Sequence, residues 1–151
     1  MQFLQPPYLN PCEKGGAPFA VWSLDTIVQM KPAAPDGARD IIVAVDTFSK
    51  WVELGTVTCL DSTNITRWFH TNIVCRYGLP GLVRTDGGAE YKGKFRAYLR
   101  EAGICHRVIS AHNPWANGQV ERFNQTIKIN FRKFAVECPV GKWWEILADI
   151  A

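Results

Sequence analysis

Several of the usual signals of binding chemistry are missing from this 151-residue chain. Its five cysteines, Cys12, Cys59, Cys75, Cys105 and Cys138, are odd in number, scattered, and never spaced C-x-x-C. That pattern argues against a disulfide framework and against a zinc site, and it fits a reducing compartment. The N-terminal MQFLQPPYLNPCEKGG has no basic segment leading into an apolar one, and no apolar run approaches membrane-spanning length. Neither a secretory leader nor a membrane partner is therefore expected, and the location expected is nuclear or cytoplasmic. There is no internal repeat and no low-complexity tract. Nor is there a strong charge of one sign: the net charge is +3. It is unevenly placed, because residues 1–83 hold 6 Lys+Arg against 7 Asp+Glu (−1) and residues 84–151 hold 11 against 7 (+4). A phosphate-facing surface in the second part is permitted, though not required.

What remains is an ordinary globular composition, long enough to bury roughly 70% of its unfolded surface as one domain. Residues 1–18, with Pro6-Pro7, Pro11 and Gly15-Gly16, read as an extended arm or linker, and residues 19–151 as the folded domain. Phe19 to Met30 is apolar and β-rich with Asp25 set inside it, a costly place for a charge without a partner. Ile41–Val45 ending at Asp46, and Trp51–Thr58, complete an antiparallel meander. Asp61-Ser62-Thr63 opens a helix that carries Ile65, Trp68, Phe69 and Ile73 on one face until Tyr77-Gly78-Leu79-Pro80 stops it. A short strand, Leu82–Thr85, ends at Asp86. The turn Gly87-Gly88 then leads to a helix with Phe95, Tyr98, Leu99 and Ala102 inside, followed by a strand from Ile104 to Ile109. Strand-helix-strand order argues for two parallel strands added to the meander, a mixed five-stranded α/β sheet flanked by helices.

The stretch Val108–Phe134 carries the densest chemistry. A loop around His112-Asn113-Pro114-Trp115 gives way to a helix opened by Asn117 and Gly118, with Val120, Phe123, Ile127, Phe131 and Phe134 as its apolar stripe. Glu121, Gln125, Lys128 and Arg132 share a second stripe. Taken alone, such a stripe is most often a solvated face. Asp25, Asp86 and Glu121, however, all fall at strand or helix-start junctions, where α/β sheets assemble their sites. Three oxygen ligands without His or Cys favour Mg²⁺ or Mn²⁺ over zinc, and a cation is the ordinary way to keep such carboxylates ionised together.

Thr85-Asp86-Gly87-Gly88-Ala89-Glu90-Tyr91, Gly103-Ile104 with His106, Ser110, and Pro114-x-x-Asn117-Gly118-Gln119-Val120-Glu121-Arg122-x-Asn124 together resemble the catalytic core of retroviral and gypsy-like LTR-retrotransposon integrases. Trp22-x-x-Asp25 and Val45-Asp46-x-Phe48-Ser49-Lys50-Trp51 fit the same family. The resemblance implies a ribonuclease-H-like fold with Asp25, Asp86 and Glu121 as catalytic and metal-binding triad. It also implies two Mg²⁺ (or Mn²⁺) ions, with Asp25 bridging them, and an activity that trims and joins DNA ends. By that likeness DNA and a second copy of the chain are partners, and Lys128 lies where the family uses a lysine on element-end DNA. Asn117, Gln125, Arg132 and Trp115 are further DNA-contact candidates, with Trp115 equally readable as a core aromatic. Asp46 reads as a turn residue and Glu90 as a support or surface group.

The departures fall in loops. Asp86 and Glu121 are separated by 34 residues, one fewer than is usual in the family; Gly87 and His112-Asn113-Pro114-Trp115 differ from its common choices. No His/Cys zinc module or C-terminal DNA-binding module is visible, and a truncated C-terminus is expected because the chain stops within the helix begun at Lys142. Two other readings stay open: a hydrolytic nuclease of the same fold, and a domesticated DNA-binding or multimerisation module without catalysis.

Overall fold

A computed structural model describes residues 16–109, the helical residues Arg122, Gln125, Thr126, Ile129 and Lys133, and residues 142–150. Most of the 1–18 arm and the apolar stripe of the Asn117–Phe134 helix lie outside the described residues.

The meander forms as its alternation predicts. Strands β1 (Val21–Ile27), β2 (Asp40–Asp46) and β3 (Val52–Val57) pair antiparallel. Strand β4 (Leu82–Thr85) adds parallel to β1, and β5 (Cys105–Val108) adds parallel to β4, giving the order β3-β2-β1-β4-β5. Strand β4 has the expected bounds and β2 runs one residue further at each end, whereas β1 is shorter than its apolar run: Phe19 and Gln29, just outside it, take positive φ values that no strand continues through.

Helix α1 (Ser62–Phe69) begins where Asp61 caps it, accepting 2.8 Å bonds from the Thr63 and Asn64 amides. The helical path continues through a π turn, His70–Val74, into the short α2 (Cys75–Tyr77), and ends at Gly78 with φ 85°. A 3₁₀ turn, Ala89–Tyr91, precedes α3 (Lys94–Glu101). Ser62 ties the two helix starts together, donating to the Lys92 carbonyl and accepting from the Phe95 amide.

The sheet's two faces carry separate cores. On one, Trp22, Leu24, Ile42, Ala44 and Val83 meet Ile65, Phe69 and Ile73 from the α1 segment and Tyr91, Phe95 and Leu99. Gly55 of β3 makes this packing possible, because a Cβ there would lie 1.7 Å from the Trp68 indole nitrogen. On the other face, Ile27, Ile41, Val43 and Val45 meet Ala34, Ala38 and Trp143 of α4 (Trp143–Ile150), whose indole donates to the Pro32 carbonyl at 2.6 Å.

Candidate active site

Asp25 and Asp86 are brought level by the parallel pairing of β1 and β4. The paired register ends at Ser23 opposite Arg84, and two further residues along each strand lead to Asp25 and Asp86. Side chains level with one another on adjacent parallel strands share a face. Trp22 and Leu24 belong to the α1-side core and Ile27 to the opposite one, so Asp25 alternates to the α4-side face, opposite Val43 of β2. Asp86 follows the last residue of β4 and is exposed; its carboxylate turns the chain by accepting from the Gly88 amide at 3.0 Å. The Asp25 carboxylate accepts from the Thr26 amide at 2.8 Å.

Glu90 joins this end of the sheet. Its carboxylate folds back over Gly88, where a Cβ would sit 2.5 Å from it, and reaches within 3.5 Å of the Thr26 hydroxyl. Tyr91 follows directly, its ring 1% exposed in the α1-side core. Its hydroxyl has no partner at hydrogen-bond geometry among the described residues. Burial, then the negative charges of Asp25, Asp86 and Glu90, push that hydroxyl well above the usual phenol range, and the nearby Thr26 side chain offsets only part of this. A phenol raised in this way keeps its proton at neutral pH.

The backbone at Asp86 is held from behind. Thr85 is 1% exposed, and its hydroxyl lies 2.8 Å from both the Asp86 carbonyl and His106 Nε2. A hydroxyl has one hydrogen, and the carbonyl can only accept, so Thr85 donates to Asp86 and His106 donates to Thr85. The resulting Nε2–H imidazole is kept neutral by burial, with a smaller push from Arg96.

The family model for the integrase core domain matches residues 16–114. The chain belongs to the integrase core domain family. It is 32% identical over 140 residues to the Gag-Pol polyprotein of avian reticuloendotheliosis virus, and 31% identical over 140 residues to that of koala retrovirus. These alignments cover 92% of this chain but only 12% and 8% of the respective polyproteins, so the chain spans a small part of the relatives it matches. Among solved structures it is similar to the HTLV-2 integrase catalytic core domain in complex with magnesium, with TM-score 0.63, 22% identity, and coverage of 90% of this chain and 84% of that one. It is similar also to the catalytic core domain of BIV integrase, with TM-score 0.62, 19% identity, and coverage of 87% and 79%. The mixed five-stranded sheet with flanking helices is thus the ribonuclease-H-like fold of integrase cores.

Within this integrase core, Asp25 lies inside β1 and Asp86 directly after the neighbouring β4. Glu121, Trp115, Asn117, Lys128 and Arg132 lie outside the described residues. Gln125 is helical and exposed, and Thr126 donates to the Arg122 carbonyl at 2.7 Å one helical turn back. Among the described residues no three His, Cys, Asp or Glu side chains gather closely enough to hold a metal ion. Asp46 is the last residue of β2 and its side chain caps the turn that follows: one carboxylate oxygen accepts from the Ser49 amide and hydroxyl, 2.8 and 2.5 Å away, although the residue is fully buried. Sequence reasoning did not foresee the Tyr91 hydroxyl or the Thr85–His106 support. It also did not foresee Glu53, 5% exposed, which accepts from Arg76 at 2.6 Å, from the Trp51 indole at 2.9 Å, and from the Tyr77 hydroxyl.

Proposed function

We propose that this integrase core cuts and joins DNA ends with divalent cations, Mg²⁺ or Mn²⁺, held by Asp25, Asp86 and Glu121. The observation that carries the reading is the β1–β4 register, which pairs Ser23 with Arg84 and, continued two residues along each chain, leads to Asp25 and Asp86. The donors there are oxygen only, the set a hard cation prefers. The HTLV-2 neighbour, which is in complex with magnesium and in a trimeric form, supports both the ion and a homo-oligomeric state.

When bound, two such ions lower the energy of an in-line displacement at phosphorus by activating the attacking oxygen and stabilising the leaving one. The chain's own contribution is to fix where this happens. Asp25, within β1, and Asp86, its backbone braced by Thr85 and His106, would hold the ions from two neighbouring strands. Glu121 supplies the third carboxylate from its helix. Lys128, with Asn117, Gln125, Arg132 and Trp115, positions the DNA. In end trimming a water oxygen attacks, and in joining a DNA 3′-hydroxyl attacks; in each case the displaced 3′ oxygen leaves. The work is placed in the nucleus or cytoplasm.

The test is an assay of the chain for nicking, joining and reversal of joining on branched DNA with Mg²⁺ or Mn²⁺. Activity lost in Asp25→Asn, Asp86→Asn and Glu121→Gln supports the reading. DNA binding without any cutting or joining by the unaltered chain would favour a noncatalytic DNA-binding module instead.

A further inference from the structure

Thr85 closes β4 in a buried place, 1% exposed, that the shape of a valine would fill as well. It stands two residues after Val83 and so shares the α1-side face of the sheet. Its hydroxyl donates at 2.8 Å to the Asp86 carbonyl, just past the point where the Ile109 amide makes the last ladder bond, to the Thr85 carbonyl. A side chain thus holds the Asp86 peptide beyond the last paired residue of β4. The same hydroxyl accepts, at 2.8 Å, from Nε2 of His106 on β5. With that N–H seated on its lone pair, the hydroxyl keeps its own hydrogen on the carbonyl. His106 is itself set in place, level with Val83 in the β4–β5 register, partly buried, and edge-on to Phe95 of α3 at 6.1 Å between centroids. Two hydrogen bonds therefore run from β5 through β4 into the peptide of Asp86, whose carboxylate in turn accepts from the Gly88 amide at 3.0 Å.

We propose that His106 is a positioning residue for Asp86: acting through the Thr85 hydroxyl, it sets the Asp86 peptide and so the direction in which the carboxylate meets a divalent cation. This rests on the cation reading given above. The imidazole shares the α1-side face with Val83, whereas Asp25 alternates to the other face, so its effect reaches the site only through the backbone. A ligand just past a strand end has lost the ladder that would orient it, and bonds from behind restore that order before any ion arrives. Because β5 is also the strand from which the sequence runs on to Glu121, the relay ties that part of the chain to Asp86.

The experiment breaks the relay at each strand and mends it. Thr85→Val removes the hydroxyl and Thr85→Ser keeps it; His106→Phe keeps a ring against Phe95 without the donor, and His106→Gln returns an N–H at similar reach. Mn²⁺ is titrated into each and into Asp86→Asn, with free ion counted by electron paramagnetic resonance below the variant's melting temperature. DNA joining is measured on the same preparations. Thr85→Val and His106→Phe are expected to bind Mn²⁺ about tenfold more weakly and to join with lower kcat at unchanged KM for DNA. Thr85→Ser and His106→Gln are expected to recover most of both losses. The two deletions break one relay from different strands, so either one that stays folded decides the matter. Unchanged Mn²⁺ affinity in the deletions, together with weakened affinity in Asp86→Asn, overturns the role of His106 and leaves the cation site standing. A His106→Gln variant as weak as His106→Phe also overturns it, because the donor is then not what matters. Undiminished affinity in Asp86→Asn removes the cation site, and the His106 role falls with it.

Discussion

Two tyrosines end beside carboxylates in this molecule, and their surroundings are opposites. Tyr77, on α2, donates to Glu53 while accepting from the Trp51 indole at 3.0 Å; Arg76 pairs with the same glutamate, and the Tyr77 ring stacks on Phe19 at 4.5 Å. Tyr91 is buried, with the Thr26 side chain as the neighbour of its hydroxyl and the negative charges of Asp25, Asp86 and Glu90 acting on it. Desolvation raises the phenol's pKa in both, followed by Glu53 in one case and by the three carboxylates in the other. The difference is one of completion. Around Glu53 every strong donor has its acceptor, so the cluster holds β3 to the α1–α2 segment and has no use for a ligand. At Tyr91 the carboxylates act on the phenol without closing such a cluster, and a cation held by Asp25 and Asp86 would offset their charge.

Breaking the open cluster should remove chemistry and leave the fold. Asp86→Asn is expected to lower DNA joining by about a thousandfold or more, since several kcal/mol of transition-state stabilisation pass through the cation. The metal-free chain should melt no lower than before, because a like charge has been removed. Joining rates and thermal melts on one preparation check both halves, and a variant that unfolds would erase the contrast between the clusters.

Breaking the closed cluster should do the reverse. Glu53→Ala leaves the Tyr77 hydroxyl without its acceptor, although Arg76 and Trp51, each about half exposed, can turn to water. A loss of about 1–2 kcal/mol is expected in denaturant unfolding, with Mn²⁺ affinity unchanged.

A sharper comparison uses the same change in both places. Tyr77→Phe should cost about 1 kcal/mol by removing a satisfied hydroxyl, and Tyr91→Phe about zero or less by removing an unsatisfied one. Equal losses in chemical denaturation would show that the two hydroxyls are alike.

The smallest effect is one of pH. His106 has its pKa lowered by burial, so the unfolded chain takes up a proton before the folded one does. Its contribution is complete above about pH 6.5, the unfolded value, and is lost as pH falls from there towards the lower folded value. Unfolding midpoints measured across that window should decline on acidification, and His106→Gln should flatten the decline.

Much of this was legible in the sequence, for reasons that differ residue by residue. Asp86 stood out because a short apolar strand ends in Thr-Asp-Gly-Gly, and Asp25 because a charge inside an apolar run needs an explanation. That the two stand level was not legible, since it depends on the register of strands nearly sixty residues apart, which no local pattern encodes. Glu53 read as an ordinary strand residue, because alternation marks its face but not the Arg76 and Tyr77 that meet it. Tyr91 was visible only as the end of a motif: sequence separates an aromatic from a polar residue but does not show where a hydroxyl stops. The π turn at His70–Val74 has no proline or glycine to announce it.

The most direct test of the central claim is a crystal of the chain soaked in Mn²⁺ and measured for anomalous scattering. The account predicts manganese bound by the Asp25 and Asp86 carboxylates, with Glu121 on the same ion cluster. Manganese bound elsewhere, or Glu121 on the opposite face of the sheet from Asp25, would contradict it.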